Sequence, residues 1–211
     1  MEKLQIDLYS DVVCPWCWIG KHRLEKAVDE AGLGGQVTWK FHAYELGPRQ
    51  QEPGTVAQHL GEKYQISPAE VKQMLERVSS LGPELGLSFD FDKAKTAASF
   101  DAHRLVKAAA KEGRDRDLME RLHKAHFSDG QDVSDKAVLE SLAVQAGMAG
   151  DEARRVLASD AYAQEVEEDE ARASSYEIRG VPFTVLNGRL GVPGAQPVAT
   201  FVQAIKQALT A

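Results

Sequence analysis

Cys14-Pro15-Trp16-Cys17 uses both cysteines of the chain and sits where a strand pattern gives way to a helix pattern. That placement constrains the fold more than any other feature. Upstream, Leu4, Ile6 and Leu8 alternate with Gln5, Asp7 and Tyr9, the period of two of a strand ending near Ser10. Downstream, Pro15 suits a first helical position, and Cys17, Gly20, Leu24, Ala27, Val28 and Ala31 recur at helical spacing until Gly32 to Gly35 stops the pattern. Val37 to Tyr44 reads as a second strand. Strand, helix and strand in succession make a βαβ unit, with parallel strands and a right-handed crossover.

From Gly54 to about Tyr176 the periodicity is helical almost throughout, which predicts helices over 55–64, 68–81, 97–112, 116–128, 135–146, 151–158 and 160–177. Ser67-Pro68-Ala69-Glu70 is a capping box with proline at the first helical position, and Gly113, Gly130 and Gly147 fall at expected helix ends. After Gly180-Val181-Pro182, two short apolar runs (Phe183 to Leu186 and Arg189 to Val192) flank Asn187-Gly188, a hairpin signal. Pro197 opens a last amphipathic helix through Phe201, Ile205 and Leu209. The expected fold class is α/β, ordered βαβ, helical insertion, ββα. Its parts are 1–53, an insertion over 54–158, and 159–211.

The formal net charge of -7 and pI near 5.4 argue against a phosphate-binding surface, so nucleic acid is not an expected partner. Residues 151–177 carry nine acids against Arg154, Arg155 and Arg172, and the interleaved apolar residues read as a solvated helix face. No basic stretch leads into an apolar one at the N-terminus, and no long apolar run suggests a membrane span. A reducing cytoplasm is the expected compartment, where a close cysteine pair cycles or binds metal.

At the junction of strand and helix, unpaired backbone N–H groups and the helix dipole favour an anion, so Cys14 is the expected nucleophile. Cys17, on the stripe of Leu24, is expected to be more buried and to resolve a mixed disulfide. A non-redox zinc module is the competing reading. Zinc needs two further ligands, and His22, His42, His59, His103, His123 and His126 supply no second paired knuckle, so no metal site is expected. If the strand from Phe183 runs antiparallel beside the first strand, Pro182 comes against Cys14. A cis bond there would leave the Val181 backbone free to pair with an extended substrate.

Together, Val13-Cys14-Pro15-Trp16-Cys17-Trp18-Ile19-Gly20, Ala102-His103-Arg104-Leu105, Gly180-Val181-Pro182-Phe183 and Gly194-Ala195-Gln196-Pro197 resemble the DsbA family of the thioredoxin fold. The pattern is most similar to its FrnE-like branch. Ser99 and Gly47, the latter before Pro48, stand where asparagine is expected, which bears on substrate preference more than on the reaction. The resemblance implies thiol-disulfide exchange through Cys14 and Cys17, with Val181, Pro182, Pro15 and Trp16 positioning the substrate. Glutathione-dependent isomerases and transferases of the kappa and 2-hydroxychromene-2-carboxylate isomerase type share the topology. There a serine typically replaces the first cysteine, and a resolving cysteine has no role. No cofactor is required, glutathione is a candidate redox partner, and the substrate is a polypeptide or a low-molecular-weight thiol or disulfide. A homodimer is compatible with the sequence.

Trp16, between the cysteines, is expected to be exposed, and Trp18 to pack in the core. Trp16 also replaces the histidine of the DsbA sequence Cys-Pro-His-Cys, removing a positive charge, so a less oxidising couple is expected. Asp169 falls on the apolar stripe of Tyr162, Val166, Ala173 and Tyr176. A salt bridge to an arginine is the expected reason, with a proton relay to Cys17 the alternative. His103 is expected to pack between helices, with a catalytic base as its alternative.

Overall fold

The computed structural model describes residues 4–47, 49, 52 and 54–210. Four strands, β1 (Leu4–Ser10), β2 (Val37–Ala43), β3 (Phe183–Leu186) and β4 (Leu190–Pro193), form one mixed sheet in the order β2-β1-β3-β4. β1 and β2 are parallel, joined by α1 (Pro15–Glu30), and β3 pairs antiparallel with both β1 and β4. Asn187 and Gly188 take φ of 50° and 65°, the left-handed pair of a tight hairpin turn. The Asn187 side chain also accepts from the Gln5 N–H (2.9 Å) and donates to the Ala208 carbonyl (2.9 Å), tying the turn to β1 and to α9 (Val198–Thr210).

α1 and α9 cover one sheet face, where Leu4, Ile6, Leu24, Leu186, Phe201 and Ile205 are buried together. Each such side chain contributes roughly 1.5–3 kcal/mol by leaving water. The insertion holds α2 (Val56–Tyr64), α3 (Pro68–Ser80), α4 (Phe100–Ala110), α5 (Asp115–Phe127), α6 (Lys136–Gln145) and α7 (Gly150–Leu157), before α8 (Ala163–Ser175) leads back to the sheet. Leu8, Val12 and Phe41 share a core with α4 to α7, while Trp18 and Ile19 of α1 share another with Val71, Val78 and Phe127. The insertion is thus packed directly on the residues flanking the cysteines.

The capping box forms at Ser67 and Glu70, and Gly113, Gly130 and Gly147 take positive φ. The helix expected from residue 97 begins at Phe100. The Val56 N–H donates to the Ala94 carbonyl (3.2 Å) and the Thr96 N–H to the Gly54 carbonyl (3.0 Å), so residues 94–96, which lead up to the helix, are held extended by a distant segment. The second hairpin strand is also shifted one residue from the expected start, to Leu190. Pro48 lies outside the described residues.

Candidate active site

β1 ends at Ser10, the chain turns through Asp11 to Val13, and Cys14 becomes the N-cap residue of α1 with extended backbone angles (φ -104°, ψ 110°). Pro15 occupies the first turn, where its missing N–H costs no hydrogen bond. Both thiols are free, Cys14 4% exposed and Cys17 0%. Cys17 Sγ accepts from the Asp11 N–H at 3.5 Å. Burial, followed by the hydrogen bond and charge of Cys14, pushes the Cys17 thiol well above its ordinary pKa, against the opposing pull of the Asp11 N–H and Ser10. The second thiol therefore holds its proton while the first remains beside it.

The loop after α8 completes the pair. Pairing of Tyr9 with Phe183 sets the register, so Val181 and Pro182 lie at the end of β1, next to Cys14. The Val181–Pro182 bond is cis, and Cys14 Sγ lies 3.7 Å from the Val181 carbonyl oxygen. This approach needs Gly20: a Cβ there would stand 2.9 Å from Pro182 Cγ. The loop is further fixed by the Gly194 N–H donating to the Pro182 carbonyl (2.8 Å) and by Arg23 donating to the Ala195 carbonyl (2.7 Å). Cys14, Pro15, Trp16 and Val181 share the lining of a cavity of about 470 Å³. Trp16, expected to be exposed, is half-buried there. Trp18 is buried as expected, stacked on His123 and Phe127.

Beneath the dithiol the polar groups are buried and almost all partnered. Asp11, fully buried, accepts from the Leu46 N–H (2.7 Å) and meets His103 Nε2 at 3.3 Å. Burial alone would raise its carboxyl pKa, but the hydrogen bond and charge of His103 and the Leu46 N–H hold it below the ordinary value. The Asp11 carbonyl accepts from His123 Nε2 (3.2 Å), whose Nδ1 has no partner among the described residues. Burial pushes the His123 imidazole down to about 3 and that of His126, which lines the cavity, down to about 4, so both are neutral at pH 7. One turn along α1, Glu120 accepts from Trp18 Nε1 (2.9 Å) and Lys21 Nζ (2.7 Å) and meets His22 Nε2 (2.9 Å). Burial opposes its ionisation, and His22 and Lys21 outweigh burial, leaving the Glu120 carboxyl far below its usual range. This cluster anchors the dithiol helix to α5.

Asp169 does not have the expected arginine partner. Its carboxylate is bonded to His42 Nδ1 (2.7 Å), the Ala43 N–H (2.8 Å) and Lys107, and His42 continues to Asp7 (2.8 Å). Burial would raise its pKa, while His42 and Lys107 hold it low. Lysine and histidine replace arginine because α8 packs Asp169 across the end of β2, where His42 is the residue before the last of its strand and Lys107 of α4 reaches the Phe41 carbonyl (3.0 Å). Neither cysteine is among its partners. His103 instead holds Asp11, and through that residue's backbone it stands one step from Cys17. Among the described residues no group of three or more His, Cys, Asp or Glu side chains is disposed to hold a metal ion. Sequence reasoning missed Asp11 and Glu120. Asp11 reads as an ordinary turn residue, and its one signal is that it lies three residues before Cys14.

A family model described as the DSBA-like thioredoxin domain matches residues 5–206. A probable DsbA oxidoreductase from Streptomyces coelicolor is 34% identical, with a TM-score of 0.93 covering 98% of this chain and 90% of that one. The cytosolic disulfide reductase DsbM from Pseudomonas aeruginosa, solved with GSH, shares the fold at 18% identity and a TM-score of 0.70, covering 98% of this chain and all of that one. The 2-hydroxychromene-2-carboxylate isomerase also shares it, at 16% identity and a TM-score of 0.70 over 97% and 96% of the two chains.

Proposed function

This chain belongs to the DSBA-like thioredoxin domain family of disulfide oxidoreductases, and on that footing we propose that it exchanges thiols and disulfides through Cys14 and Cys17. The observation that carries this reading is the pair itself: Cys14 capping α1 within 3.7 Å of the Val181 carbonyl, with Cys17 buried behind it. In the reducing direction the Cys14 thiolate attacks a substrate disulfide RSSR, the S–S bond breaks, and RS⁻ leaves with the electron pair and takes a proton from water. Cys14 is then bonded to the remaining RS group. Its thiol no longer acts on Cys17, which removes two of the influences that kept the Cys17 proton in place. Cys17 attacks Cys14 Sγ as its proton passes to the departing sulfur, the Cys14–SR bond breaks, and the second half of the substrate leaves as RSH. Two electrons have passed to the substrate, and the protein holds a Cys14–Cys17 disulfide.

Val181 and Pro182 support the substrate on one side of Cys14, Pro15 and Trp16 on the other. His103 is a positioning residue that holds Asp11. Asp169, bonded to His42 and Lys107, takes no part in the step. The absence of a positive charge between the cysteines favours a couple poised to rest reduced in a glutathione pool, with glutathione as redox partner in a reducing compartment such as the cytoplasm. Glutathione-dependent isomerisation gives Cys17 no task. The test is reduction of insulin and of a neutral small disulfide with glutathione as electron source. Cys14→Ser is expected to lose more than 99% of the rate on both substrates, and Cys17→Ser to lose turnover while still forming one mixed disulfide. Full activity in Cys14→Ser would refute the assignment.

A further inference from the structure

The cavity beside Cys14 departs from the rest of the molecule in charge. The chain carries 32 acids against 25 lysines and arginines, yet among the described residues the cavity is lined by Lys63 of α2, Lys95 of the segment before α4, and Arg179 of the loop before Pro182, and by no carboxylate. Elsewhere some basic side chains are matched, as Arg49 is to Glu45 and Glu167, Lys93 to Asp90, Arg121 to Asp117 and Lys124 to Asp129, and others are single charges dispersed over the surface; what sets the cavity apart is that three cations converge on it. Among the described residues Lys63, Lys95 and Arg179 form no ion pair. Lys63 Nζ has only the Leu46 carbonyl at 3.5 Å. Three of the large apolar side chains that are more than a third exposed, Leu46, Tyr64 and Met74, line the same cavity. Three unpaired cations from three separate elements, with exposed apolar walls between them and a thiol at one side, leave unmet charge around a volume of about 470 Å³, a size suited to a small molecule.

We propose that this cavity selects a small disulfide bearing two or more carboxylates, with Lys63, Lys95 and Arg179 as the residues that set the preference. The inference rests on the dithiol reading above and adds the substrate's charge class. The sulfur pair of such a molecule meets Cys14 while its carboxylates lie on the cations. The step is the exchange already written, Cys14–S⁻ plus RSSR giving Cys14–S–S–R and RS⁻, and the same cations stabilise the thiolate that leaves. Because all three side chains are solvent-exposed, they act mainly by raising the local concentration and capture rate of an anion, an effect that salt weakens.

The experiment follows the rate at which the reduced protein is oxidised by 3,3'-dithiodipropionate (two negative charges), 2-hydroxyethyl disulfide (neutral), cystamine (two positive charges) and oxidised glutathione, each rate divided by that with free dithiothreitol. At low salt the normalised rate with the dianion is expected to exceed that with cystamine by about tenfold or more, with oxidised glutathione beside the dianion. In 0.5 M salt, or in Lys63→Ala/Lys95→Ala/Arg179→Ala, the preference should fall to within about twofold. Lys95→Glu/Arg179→Glu should reverse it. A normalised preference absent in the wild type, or unmoved by the substitutions, overturns the inference while leaving the dithiol chemistry standing. If the neutral disulfide also fails to oxidise the wild type, the dithiol reading falls, and the inference with it.

Discussion

Both sides of Cys14 hold charged residues, and the two sides do opposite things with them. Behind the dithiol, Asp11, His103, Glu120 and Lys21 have partners within 3.3 Å and His123 is buried without charge, as is His126 where this layer meets the cavity wall. In front of it, Lys63, Lys95 and Arg179 are exposed and unmatched among the described residues. A charge whose partner lies inside the protein fixes geometry, because losing either member strands the other in a low dielectric. One whose partner is missing is left for a ligand and costs little in stability, because water screens it. The prediction is that substitutions behind the dithiol change folding strongly, and substitutions in front change rate and leave folding nearly untouched.

The largest expected effect is at Asp11. Asp11→Ala leaves the Leu46 N–H and His103 without an acceptor in a fully buried site, a loss of about 2 to 4 kcal/mol measurable by urea unfolding. Asp11→Asn, which keeps an acceptor, should recover part of it.

Next comes acid sensitivity. His123 and His126 titrate near 6.5 in the unfolded chain but at about 3 and about 4 in the folded one, so the unfolded state takes up protons first as pH falls. The stability they allow is complete above about pH 6.5 and declines below it. Each should cost about 2 kcal/mol between pH 7 and pH 5. His42 has the opposite sign. Burial lowers its pKa, but Asp169 and Asp7 raise it above its ordinary value, so its contribution is present below about 6.5 and is lost as pH rises through the folded pKa. Denaturation midpoints that do not fall between pH 7 and pH 5 would contradict neutral burial of the two imidazoles.

Gly20→Ala comes third. A methyl group 2.9 Å from Pro182 Cγ pushes the Val181–Pro182 loop away from Cys14, offsetting the better helix propensity of alanine with a net loss of about 1 kcal/mol. Exchange should slow more than stability suffers. Lys95→Ala is the smallest, expected within about 0.5 kcal/mol of the wild type in unfolding. A loss above about 1.5 kcal/mol there would erase the contrast between the two sides.

What was legible in the sequence is what local chemistry decides. The cysteine spacing at a strand–helix junction, the Ser67 capping box, the Asn187-Gly188 turn and Pro182 before a strand each carry their reason within a few residues. The approach of Val181 to Cys14 was also within reach, because it follows once β3 is taken as antiparallel to β1. The groups behind the dithiol were not, since Asp11 acquires its meaning only from a histidine 92 residues away on the insertion. The start of α4 is likewise set from a distance: the helix expected from residue 97 begins at Phe100, just past residues 94–96, which hydrogen bonds with residues 54–56 hold extended. Asp169 was recognised as an acid on an apolar stripe, but its partners lie on β2 and α4, and no periodicity along α8 names them. The cations in front of Cys14 come from three separated segments of an acidic chain, and net charge conceals them.

The central claim is that Cys14 attacks and Cys17 resolves. The most direct test is mass spectrometry with thiol alkylation after equilibration across a glutathione redox series, on the wild type, Cys14→Ser and Cys17→Ser. The expected result is a reversible two-electron transition in the wild type, one glutathione adduct on Cys14 in Cys17→Ser, and none on Cys17 in Cys14→Ser, where the remaining thiol is buried. Thiols that stay reduced across the series, or an adduct that forms on Cys17 in preference to Cys14, would contradict it.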